Sequence, residues 1–222
     1  MAALRLIPAL LLACSPGLVA CSVGEGEGWV RSDRLVIEDC WDGPFDLQPT
    51  FFGANPHREQ EVLIRVQRGN NIQELSDGLT VLVTDTPRVR GELLGEPMAV
   101  GMPPGVTPPG VPLEANPSPP LVSLALYLHN TCHRENGTIY SVEPNRIETG
   151  GLESTITFLS LFSGDPNEKS ADDRLTEAEF AAWFADPRVL DADGHIPADR
   201  ASYVEGRFRF FFQRGQPAQP FP

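Results

Sequence analysis

The chain has 222 residues, 41% of them hydrophobic and 21% charged, which is enough apolar content for one sizeable core. Its net charge of −13 excludes a basic footprint for nucleic acid or for anionic headgroups. No GxSxG elbow, HExxH pair or glycine-rich phosphate loop occurs, and nothing pairs a cysteine with a histidine to lower its pKa, so catalysis is not expected.

Residues 1–5 carry one positive charge, Arg5, and LIPALLLACSPGLVA (residues 6–20) then runs without another. Charged first and apolar second is the layout of an export signal. The run is shorter than the roughly 20 apolar residues a spanning helix needs, and Pro8 and Pro16 would interrupt a helix. It ends at Leu18-Val19-Ala20-Cys21, which resembles the lipobox of bacterial lipoproteins; the alternative match, Leu11-Leu12-Ala13-Cys14, leaves only a short signal. The resemblance implies cleavage before Cys21, thioether acylation of its sulfur, and attachment to the membrane by acyl chains, of which two or more hold stably. Ser22 stands where an aspartate would imply inner-membrane retention, so the resemblance implies the outer membrane of a bacterial cell envelope. Residues 1–20 are then a signal peptide, residues 21–28 a small, acidic, flexible tether, and residues 29–222 a single domain.

Removing the signal also removes Cys14. Cys40 and Cys132 are left, and two cysteines in an exported chain predict one disulfide. His129, Cys132 and His133 cluster in HNTCH but lack a second group at zinc spacing.

After the tether, period-two alternation dominates. Leu35 and Ile37, then Val62, Ile64 and Val66, then residues 79–85, then Val122, Leu124, Leu126 and Leu128, then Ile156 and Phe158, and finally Phe208, Phe210 and Phe212 predict strands. Residues 76–78 (SDG) and 135–137 (ENG) supply turn chemistry, and Asn136-Gly137 is a strong hairpin signal. The expected fold is mainly β, an antiparallel β-sandwich of jelly-roll-like type, with two departures. Residues 87–120 are rich in proline, and their second half predicts a long exposed loop, while an acidic insertion lies in the C-terminal third.

That insertion holds the one stretch with metal-ligand spacing. Laid on the EF-hand loop, Glu168, Ser170 and Asp172 fall at positions one, three and five, and Glu179 at the bidentate twelfth; Glu replaces the usual Asp at position one and Asp173 the glycine at position six. Calcium is the only cofactor this segment would take. Thr176, Ala178, Phe180, Ala182 and Phe184 alternate as in a strand, while Leu175, Phe180, Trp183 and Phe184 fit a helix, so periodicity leaves both readings open.

The expectation is a lipid-anchored outer-membrane sandwich with a binding or structural role, not an enzyme and without a nucleic-acid partner. Its protein or carbohydrate partner is not identified by the sequence. The alternatives are a calcium-binding envelope protein using residues 168–179, or a hydrolase of envelope polymers. Trp29, Trp41 and Trp183 would stack on sugars if exposed, and would be core otherwise.

Overall fold

The computed structural model describes residues 26–70, 72–103, 106, 120–132, 137–148, 150–162, 174–191 and 195–211. Cys21, Glu168, Ser170 and Asp172, most of the proline-rich stretch and the acidic insertion before Arg174 lie outside them.

The strands in chain order are β1 (Gly26–Ile37), β2 (Trp41–Leu47), β3 (Phe51–Arg58), β4 (Glu61–Arg68), β5 (Asp77–Val83), β6 (Met98–Gly101), β7 (Val122–Leu128), β8 (Thr138–Val142), β9 (Thr155–Ser160), β10 (Leu175–Ala185) and β11 (Ala201–Phe211). Two short helices, α1 (Thr86–Glu92) and α2 (His129–Cys132), interrupt them. Hydrogen bonding runs in the order β2-β1-β11-β10-β9-β6-β7-β5-β4-β3, with β8 bridging β10 and β7. Every pairing is antiparallel except β6 with β7. The fold is therefore mainly β and sandwich-like. One arm, β2-β1-β11-β10, lies over the other, β7-β5-β4-β3, and Phe210 of the first stacks on Phe52 of the second with ring centroids 5.8 Å apart.

Alternation explains which face of each strand closes the core. On β4, Val62, Ile64 and Val66 are buried, and on β11, Val204, Phe208 and Phe210. Central β5 and β7 are buried along almost their whole length, as strands covered on both faces must be. β10 is a strand and not a helix. It pairs along its full length with β11 and over Glu177–Ala181 with β9, and it buries Thr176, Ala178, Phe180, Ala182 and Phe184.

Two segments differ from the sequence expectation. β1 begins at Gly26, so residues 26–28, expected in the tether, are paired with Phe208–Phe210 of β11. A Cβ on Gly26 would lie 2.6 Å from Phe210 Cβ and 2.7 Å from Phe52 Cδ2, so the glycines that read as flexible linker admit close packing instead. Asp77 and Gly78, expected in a turn, are buried at the start of β5; a Cβ on Gly78 would meet the Tyr127 hydroxyl at 2.5 Å. The first half of residues 87–120 holds α1 and β6, whose Met98 and Val100 enter the core, and the second half, expected as a loop, lies mostly outside the described residues.

Candidate functional site

A cleft of about 330 Å³, sized to hold a small ligand, opens where β1, β11 and β10 meet. It exists because β1 separates from β11. Their ladder runs from Gly26↔Phe210 to Arg31↔Glu205 and stops, and the β1–β2 register shifts between Ser32 and Leu35. Beyond that point serine hydroxyls replace the ladder: Ser32 Oγ donates to the Tyr203 carbonyl at 2.8 Å, and Ser202 Oγ accepts from the Val36 amide at 2.8 Å. An irregularity of this kind re-aims side chains, and here it turns Asp33 and Arg34 outward at the cleft.

The wall on the β10–β11 side is aromatic. Trp183 and Tyr203 sit opposite each other in the register and meet edge to face, with ring centroids 5.2 Å apart. The polar atom of each ring is used elsewhere: Trp183 Nε1 donates to the Leu152 carbonyl at 3.0 Å, and the Tyr203 hydroxyl to the Glu153 carbonyl at 3.3 Å. Burial raises the Tyr203 pKa, with Glu205 and Glu153 adding to the effect, so the phenol is neutral at ordinary pH. Arg31 lies over the Trp29 ring at 4.3 Å and reaches Glu205 at 3.5 Å, both side chains being well exposed. Arg34 grips Asp42 through two hydrogen bonds of 2.7 and 3.0 Å, which holds the Asp42 carboxyl below its ordinary pKa. Among the described residues Asp33 has no ion-pair partner. The arrangement can bind; it offers no nucleophile beside a base.

A second polar region lies at the far end of β1. Cys40, just past β1, is bonded to Cys132 at the end of α2, with Cα atoms 5.5 Å apart, which joins the two arms of the sandwich. Buried Asp77 accepts from the Asn130 and Thr131 amides, each at 3.0 Å, and from Thr131 Oγ1 at 2.6 Å, fixing α2 next to the bridge. His129 is similarly occupied, with its ring nitrogens 3.0 Å from the Gln73 carbonyl and 2.8 Å from Thr138 Oγ1. The HNTCH residues that are described thus serve the bridge and its neighbourhood.

Of the predicted calcium ligands only Glu179 is described. It lies exposed in the middle of β10, between Thr157 and Arg207 in the register, where an EF-hand would begin its outgoing helix. Among the described residues, no group of three or more His, Cys, Asp or Glu side chains is placed to hold a metal ion. No described helix is long and apolar enough to cross a membrane.

The tryptophans are all half-buried, so neither expectation for them, open platform or core, holds fully. The cleft itself is assembled from positions 31–34, 183, 198, 201, 203 and 205. The one sequence sign of it is the adjacent charged pair Asp33-Arg34 inside an otherwise alternating strand.

Comparison of the chain with protein-family models, with curated proteins and with solved structures finds no match.

Proposed function

We propose that this chain is a lipid-anchored protein of the bacterial outer membrane whose β-sandwich is a binding module. The observation that carries the anchoring is Leu18-Val19-Ala20-Cys21 at the close of an uncharged fifteen-residue run. Acyl chains on Cys21 would contribute about 0.8 kcal/mol per buried methylene, so a pair of chains retains the protein without a spanning segment. The Cys40–Cys132 bridge fits an oxidising compartment outside the cytoplasm. A cleft with an aromatic wall and exposed charged groups, and with no nucleophile–base pair, supports binding over catalysis.

Metabolic labelling with palmitate tests the anchor. Expression of the full chain in a bacterial host is expected to give a labelled, membrane-associated product, and Cys21→Ala is expected to abolish the label and release the protein. Label retained by Cys21→Ala would overturn the assignment.

A further inference from the structure

We infer that the cleft between β1, β10 and β11 is a binding site for neutral carbohydrate, recognised as a pyranose ring with adjacent hydroxyls. The inference rests on the binding role proposed above and not on the acyl anchor.

The wall formed by Trp183 and Tyr203 gives the first reason. Because the indole N–H and the phenol are bonded to the backbone of residues 152 and 153, what remains for a ligand at the cleft is carbon surface. A ligand that matches must offer C–H groups to an aromatic ring, as the apolar face of a pyranose does.

The polar groups around that wall give the second. Asp33 and Glu205 offer carboxylate oxygens as acceptors, and Arg31 is a donor whose contact with Glu205 is a single long one of 3.5 Å. Sugar hydroxyls both donate and accept, so adjacent ones can donate to the carboxylates and accept from the guanidinium at once. Such charge-assisted bonds are stronger than those between neutral groups.

Charge gives the third. The protein as a whole is strongly acidic, and the cleft is lined by Arg31 and Arg34 with Asp33 and Glu205, Arg34 being held by Asp42 at its edge. Phosphorylated and sulfated ligands meet the repulsion of the acidic chain. A cleft of about 330 Å³ lies at the small end of ligand pockets, which run from about 300 to 1,000 Å³ and suit a ligand of one or two rings.

The test is titration of the full-length protein, held in a non-glycosidic detergent, with cellobiose, maltose, lactose and diacetylchitobiose, read by tryptophan fluorescence and by calorimetry. At least one of these is expected to give a saturable signal. Asp33→Ala, an exposed change that leaves the core untouched, is expected to weaken it about tenfold, and Trp183→Phe to remove most of the fluorescence change while keeping the fold. No saturation with any of the four at tens of millimolar would overturn the inference. So would binding unaffected by both variants, or tighter binding of a sulfated disaccharide or of trialanine than of every neutral sugar. A protein that takes up palmitate but binds no sugar loses this inference alone, and one that binds sugar without palmitate loses only the anchor.

Discussion

At the scale of single residues, glycine decides where this domain starts. Composition marks GEGEG as linker, because small and acidic residues bury nothing, yet Gly26 and Gly28 lie against Phe210 and Phe208 where a side chain has no room. Gly26→Ala would place a methyl 2.9 Å from the Arg209 carbonyl as well as against two phenylalanines. It is expected to cost about 1–3 kcal/mol, as overpacking does, measured by urea denaturation. Gly91, within α1 and with open space around it, is the contrasting case: Gly91→Ala is expected to stabilise by about 0.5–1 kcal/mol. Tyr127 supplies a pH dependence. Its hydroxyl, fully buried, donates to Gln67 Oε1 at 3.0 Å, and burial pushes its pKa far above the ordinary phenol value. The unfolded chain loses this proton near about pH 10 while the folded one keeps it. Its contribution is therefore intact below about pH 10 and lost as pH rises further. Denaturant midpoints followed upward from pH 9 are expected to fall, and to fall less steeply in Tyr127→Phe; an equal slope would show that other groups control alkaline unfolding.

At the scale of elements, the strands legible in the sequence are those whose buried side is aliphatic or aromatic and whose other side is polar, such as β4 and β11. β10 was ambiguous for a physical reason: its alanines suit either a helix or a strand, and only pairing with β9 and β11 chooses between them. β2 lacks the pattern because it is an edge, interrupted by Gly43-Pro44 and with only Leu47 buried, and such an interruption also guards it against pairing with another chain. The cleft could not be read at all, since it depends on how far β1 diverges from a strand some 170 residues later in the chain. The cysteines could be paired by elimination, but the sequence did not show that their bridge would tie one arm of the sandwich to the other. Closing a separation of 92 residues is worth about 4–5 kcal/mol in the chain-entropy account. The double variant Cys40→Ser, Cys132→Ser is expected to lose a comparable amount in guanidinium denaturation, and the wild-type protein to approach the same value under reductant. A loss below about 1 kcal/mol would mean that the contacts of α2 hold the two arms without the bridge.

At the scale of the whole molecule, the start of β1 sets the reach of the proposed anchor. Between Cys21 and Gly26 stand only Ser22, Val23, Gly24 and Glu25, so the five steps from Cys21 to Gly26 reach at most about 18 Å when fully extended. The end of the sheet that holds Gly26 also holds Phe211, Leu175 and Ser160, with exposed Leu159 beside them. That end is expected to face the bilayer. Asp33 lies about 23 Å further along β1, so the cleft would open away from the lipid. Inserting ten Gly/Ser residues after Ser22 is expected to increase the distance between a fluorophore at position 159 and labelled vesicle lipid, and to leave the stability of the fold unchanged.

β1 also determines how the protein would bear load. Its first residues are bonded to β11, its later ones to β2, and Cys40 follows three residues after its end with a covalent link to Cys132. Tension applied at the anchor would enter along this strand and stop at the bridge. Residues ahead of Cys40 could be drawn out, while the segment from Cys40 to Cys132, which contains β2 to β7 and one whole arm of the sandwich, would stay closed and add no length. Pulled from its two ends in a force spectrometer, the oxidised protein should therefore extend less than the reduced one by the contour of that loop. If the proposed anchor holds the protein, the disulfide makes the sheet opposite β1 a part of the molecule that force on the tether could not unravel.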